Sequence, residues 1–166
     1  VVKALGILKQ RKKSLPLLLI AGGVRVASDQ EYEKYLRKLV EDLGLNDDVF
    51  FSGFVKRDEL DSVFSISDLV ITPFRETSGS GSIAQAIARG ARILASGLNL
   101  NLELNERVPE TLEVFRSEDP SDCAQKIEAL LNQNPRASFH QPALTYAQKF
   151  SVRNTAHDHI QVYLKP

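Results

Sequence analysis

Strand-length apolar runs alternate with amphipathic, helix-length segments along the chain, and this alternation limits the possible folds more than any other feature. The runs are LPLLLIAGG (15–23), DVFFSGF (48–54), DLVITPF (68–74), RILASG (92–97) and LEVFRS (112–117). The near-continuous apolar ones read as strands buried on both faces.

The intervening segments carry helix punctuation. In SDQEYEKYLRKLVEDLG, Ser28 stands as N-cap with Glu31 three residues on, a capping box. Tyr32, Leu36, Leu39, Val40 and Leu43 share one face, and Gly44 closes the segment. KRDELDSVFSISD gives a shorter helix through Leu60, Val63 and Phe64. EDPSDCAQKIEALLNQ places Pro120 at the first helical position behind Asp119, with Ala124, Ile127, Leu130 and Leu131 as its core stripe. The tail, 138–164, reads as helix with a break near Ser151. Strand, helix, strand at this spacing builds right-handed βαβ units. The expected fold is α/β, a Rossmann-like three-layer αβα sandwich with a mostly parallel sheet.

A length of 166 residues, 43% apolar and 25% charged, suits one globular domain with its own core. Its 21 basic and 21 acidic side chains give no net charge, which disfavours nucleic acid or an acidic membrane as a whole-surface partner. The single cysteine, Cys123, excludes an internal disulfide and fits a reducing compartment, so a cytoplasmic location is expected. The longest apolar run is too short to span a bilayer, and no integral membrane segment is expected. The opening VVKALGILKQRKK reads as the body of a helix, with Val1, Leu5 and Leu8 on one face and no cap before them. With no methionine anywhere, residues 1–166 are expected to be one domain cut from a longer protein.

In parallel sheets ligands bind beyond the carboxyl ends of the strands. Three loops leaving those ends carry informative residues: GGVR from Gly22, GFVKR with Phe54 and Val55, and RETSGSGS from Arg75 and Glu76 to Ser82. In the last, Ser82 reads as N-cap of a helix and Gln85, three residues later, as its capping-box partner, with Gly90 at the far end. Gly79 and Gly81 permit positive φ and a close ligand approach. Free N–H groups of Ser78, Ser80 and Ser82 at a helix start attract an anion, and a phosphate or pyrophosphate is the natural guest. A Walker A loop needs a Lys after the glycines, and a dinucleotide fingerprint needs a third glycine where Ala84 stands, so neither is present. The plain alternative is that the loop merely turns a strand into a helix.

His157 and His159, two apart on a helix, point in different directions and do not read as a metal site; His140 stands alone. Cys123 reads as an inert thiol. Lys56, Arg57 and Arg25 at the ligand edge, and the Arg11-Lys12-Lys13 run after the first helix, read as surface cations.

In order, these segments resemble the nucleotide-sugar-binding C-terminal half of the group 1 (family 4) retaining glycosyltransferases, which have the GT-B fold. LGLNDDVFFSGFV, ISDLVITPF and AIARGARILAS carry the resemblance, which extends from residue 1 to about 164. It implies transfer of a sugar from a nucleoside diphosphate sugar to an acceptor with retention, no cofactor and no bound metal. The nucleotide sugar and an N-terminal acceptor domain of the same protein are its implied partners. Carried over residue by residue, Phe54 and Val55, with Gly22 nearby, meet the nucleobase side. Arg75, Glu76 and the backbone of Ser78, Gly79, Ser80, Gly81 and Ser82 face the diphosphate and donor sugar, and Glu76 is the one candidate for a catalytic role. Gln85 takes the place of the second glutamate in the family's Glu-x7-Glu motif.

The departures matter. Gln85 is neutral and offers one acceptor oxygen where a carboxylate offers two. Glu76 precedes it by nine positions rather than eight, with Thr77 in the aligned place; TPFRETSGSGS is closer to a variant with Pro-aromatic-Arg and then Ser-Gly. The chain also begins after the family's first strand and its diphosphate-binding Gly-Arg and Lys-Gly. The expectation is therefore either five strands closed up around that gap or a strand supplied by another chain. The alternatives to a donor-binding domain are a non-catalytic nucleotide-sensing or protein-interaction module, and half of a GT-B-type nucleotide-sugar epimerase.

Overall fold

The computed structural model describes residues 1–11, 14–24, 26–76, 79–133 and 139–164, without the side chains of residues 27 and 28. In chain order the elements are α1 (Val2–Gln10), β1 (Leu18–Ala21), α2 (Ala27–Asp42), β2 (Val49–Gly53), α3 (Leu60–Ile66) and β3 (Val70–Thr72). After them come α4 (Gly81–Ala88), β4 (Ile93–Ser96), α5 (Asn99–Arg107), β5 (Glu113–Phe115), α6 (Pro120–Gln133), α7 (Gln141–Lys149) and α8 (Val152–Leu164). All five expected strands form, and each is parallel to its neighbours.

The five strands do not close into one sheet. β1 pairs with β2, and β3–β4–β5 form a second sheet; no ladder joins β1 to β3. Of the two expected outcomes at the gap, closure is therefore overturned. Both sheets nevertheless lie on one apolar core. Leu18 and Ile20 of β1, Phe51 of β2, Ile71 of β3, Leu94 of β4 and Phe115 of β5 pack with Leu5 and Leu8 of α1, Val40 of α2 and Ile127 of α6.

Strand alternation shows the layering. Val70, Ile93, Ala95 and Val114 face a second cluster with Ile83, Ala86 and Ile87 of α4 and Tyr146 of α7, so β3–β5 are covered on both faces. β1 and β2 are not. Leu19 and Phe50, side by side in register, are 41% and 50% exposed, which corrects the expectation that the LPLLLIAGG run is buried on both sides.

Local punctuation is followed in most places. Asp119 Oδ1 accepts from the N–H groups of Ser121 and Asp122 at the start of α6. The tail breaks between α7 and α8 around Phe150 and Ser151. Gly90, with φ +62°, ends α4 where a Cβ would strike Leu144 at 2.8 Å, so glycine permits both the turn and the packing of α7. At α2, however, Ser28 lies inside the helix and Val26 takes the N-cap position without a side-chain bond. Helix α5 was not anticipated. Its Asn101 Nδ2 donates to Ser96 O at 2.8 Å, while Asn105 both donates to and accepts from the Leu112 backbone. Among the described residues no helix is long and apolar enough to cross a membrane.

Candidate functional site at the carboxyl ends of the strands

The loops singled out in the sequence gather into two groups, one per sheet. In the first, Gly22 N–H donates to Gly53 O at 2.9 Å, tying the loop after β1 to the end of β2. A Cβ on Gly23 would meet the Phe54 ring at 2.9 Å, so the absence of a side chain there lets the ring lie against the backbone. Phe54 is 62% exposed, an aromatic face open to a planar ligand, with the half-buried Val55 behind it.

The second group surrounds the start of α4. Ser96 Oγ donates to Phe74 O at 2.6 Å, fixing the chain after β3 to the end of β4 immediately before Arg75. Arg75 Nε lies 3.1 Å from Glu118 Oε1 in the loop after β5. Glu76 is exposed beside it, and Ser78 lies outside the described residues.

Helix α4 starts two residues earlier than the capping pattern suggests. Ser80, not Ser82, is the N-cap: its Oγ accepts from the Ile83 N–H at 3.2 Å, and the Ser82 hydroxyl stands 3.3 Å from it. Gln85 forms no capping box, because its Oε1 accepts from Arg89 Nη1. Arg89 is itself held by Asp61 of α3 at 2.6 Å, with its guanidinium 5.1 Å from the Phe64 ring centre. Gly81 does not have positive φ, which corrects one of the two expected reasons for a glycine at that position. The other stands: a Cβ at either position would meet nothing within 4 Å, so the space above this backbone is open. A helix start with a donor-rich backbone and an open approach suits a negatively charged group.

No hydrogen bond among the described residues ties the Phe54 group to the Arg75 group; they belong to separate sheets. The remaining candidates have structural surroundings. His140 Nε2 donates to Glu110 O at 2.6 Å, and His157 and His159 lie on the exposed α8. Burial raises the Cys123 thiol's pKa, which keeps it protonated and unreactive. Sequence reasoning missed Glu118 and the Arg89 contact to Gln85. A four-residue spacing from Gln85 to Arg89 could have revealed the second; nothing local could have revealed the first.

The family model for glycosyl transferases group 1 matches residues 1–145. The chain belongs to this family. Among curated members, the chain is 24% identical over 163 residues to the D-inositol 3-phosphate glycosyltransferase of Corynebacterium urealyticum, a match covering 98% of this chain and 38% of that protein. Solved structures share the fold. The Anabaena protein Alr3699/HepE in complex with UDP and glucose superposes with a TM-score of 0.77 at 18% identity, over 98% of this chain and 44% of that one. The C-terminal domain of a Francisella tularensis group 1 family protein, LpcC, superposes with a TM-score of 0.72 at 18% identity, over 90% of this chain and 76% of that domain. The chain thus has the Rossmann-like α/β fold of a GT-B glycosyltransferase domain and spans well under half the length of its curated relative.

Proposed function

We propose that this chain is the donor-binding domain of a retaining, family 4 glycosyltransferase that moves a sugar from a nucleoside diphosphate sugar to an acceptor. The observation that carries the proposal is the start of α4, where an open, glycine-flanked backbone stands five residues after Arg75. A diphosphate there takes backbone N–H donors and a guanidinium together. Phe54 and Val55, with Gly22, form the nucleobase side, and Glu76 faces the donor sugar. The UDP named in the Anabaena complex supports a nucleotide of this class.

The domain is one part of a longer, two-domain cytoplasmic protein whose other half supplies the acceptor site, and it works without a bound metal. The greater length of the relatives supports the further domain, as does α8, which buries none of its residues and leaves Ile160, Tyr163 and Leu164 uncovered.

Gln85 favours a second reading, a nucleotide-sensing or interaction module without catalysis. Its single acceptor oxygen already takes one hydrogen bond from Arg89, which leaves it less to offer a ribose than a carboxylate would. Calorimetric titration with UDP, GDP and ADP tests both readings. Saturable binding of one nucleotide, abolished by Ser80→Pro, supports the donor site. Ser80 sits at φ −133°, which proline cannot adopt. Absence of binding, both in this chain and in one extended at its amino end by the parent's preceding segment, would leave the interaction module.

A further inference from the structure

Among the described residues, two other than glycine adopt left-handed backbone, Glu110 at φ +62° and Glu118 at φ +60°. Such a conformation is unfavourable for a glutamate and invites the question of what holds it. At Glu110 the backbone itself is used, since its carbonyl accepts from His140 Nε2. At Glu118 the side chain is used. The residue is third in a turn closed by the Asp119 N–H donating to Arg116 O at 3.1 Å, a position that favours glycine or asparagine. From there its carboxylate reaches past the end of β4 to Arg75 Nε in the loop after β3.

We propose that Glu118 is a positioning residue that aims Arg75 at the diphosphate; this rests on the donor-site reading above. The carboxylate oxygen lies against Nε, at one edge of the Arg75 guanidinium. A guanidinium held by one edge still presents its other donors to a phosphate in a fixed fork. Both side chains are largely exposed, at 79% and 67%, so the pair adds little to folding stability. A strained backbone combined with a stability-neutral bond is understandable if the bond serves ligand binding.

Stability and affinity then move in opposite directions on substitution. In Glu118→Gly the backbone strain is relieved and Tm rises, while loss of the ion pair with Arg75 weakens UDP binding about fivefold. Glu118→Gln keeps an acceptor oxygen and retains or tightens binding. Glu118→Gly added to Arg75→Ala weakens binding no further, because the residue it positions is gone. Calorimetry with UDP on these three variants, on Arg75→Ala alone and on the unsubstituted chain decides the matter. Equal or tighter binding by Glu118→Gly, or an equal loss in the Arg75→Ala background, overturns the positioning role while leaving the donor site intact. Where only the extended chain binds, or another of UDP, GDP and ADP is the one bound, the same variants are compared there; if neither chain binds any of the three, the donor-site reading and this inference fall together.

Discussion

At Ser80 the side-chain oxygen satisfies the Ile83 N–H, so removing it leaves a donor at the start of α4 to solvent alone. Ser80→Ala is expected to destabilise the fold by about 1 kcal/mol, whereas Ser82→Ala costs within about 0.5 kcal/mol. Urea denaturation of the two variants checks this, and equal losses would show that Ser82 shares the capping. The sequence pattern favours Ser82 because Gln85 follows at the right spacing, but a capping box needs that side chain to turn back toward the N-terminus. Arg89, four residues on and held by Asp61 from another helix, draws it the opposite way. That partner is set by tertiary packing and leaves no local trace. The same holds at Glu118, whose bond to Arg75 joins loops far apart in the chain. What was legible in the site were the residue types and their loops; what was not was how the side chains pair across elements.

Among the elements, those with a long-period apolar stripe were readable and α5 was not. LNLNLELNER sets leucines at alternating positions, a strand-like pattern, and its helix is fixed by Asn101 and Asn105 bonding to neighbouring backbone. For α1 and α6 the stripe and the packing agree. Leu5 of α1 is fully buried in the shared core, so Leu5→Ala is expected to cost about 2–5 kcal/mol, measured by urea denaturation. At the start of α6, hydrogen bonds from the Asp122 and Ser121 N–H groups, with the nearby Arg116 cation, hold Asp119 below its usual pKa of 3.8. A depressed folded pKa contributes stability that is present above the unfolded value and lost as pH falls through the folded one. Asn caps as well as Asp but does not titrate in this range. Asp119→Asn should therefore keep most of the neutral-pH Tm and lose less of it than the parent chain as pH falls below about 4. Thermal melts between pH 7 and pH 2.5 compare the two slopes, and parallel curves would remove Asp119 from the acid limb.

At the scale of the whole molecule, the split sheet is the unusual property. A parallel ladder turns the N–H and C=O of alternate residues to opposite sides. Leu18 N–H donates to Asp48 O and Val70 N–H to Arg92 O, so the backbone groups of Leu19 and Ile71 face the edges of β1 and β3 that no strand occupies. Helix α1 lies on the shared core and runs into β1, as the second half of a βαβ unit does. Right-handed crossover from a parallel strand ahead of α1 would bring that strand against the open side of β1, since β2 holds the other side. We propose that the parent protein supplies such a strand before Val1, joining the two sheets into one in the order β2–β1–strand–β3–β4–β5. A chain extended by the parent's preceding segment is expected to melt at a higher temperature than residues 1–166 alone. It should also slow amide exchange at Leu19 and Ile71 by about tenfold or more, while Leu18 and Val70, already bonded, change less. Proline placed at alternate positions of the added segment should reverse the protection, because it removes the donors the two edges require. If exchange at Leu19 and Ile71 is unaffected by the extension, the two sheets are joined by something other than a strand at this point, and the Phe54 and Arg75 groups must be brought to one ligand by a different route.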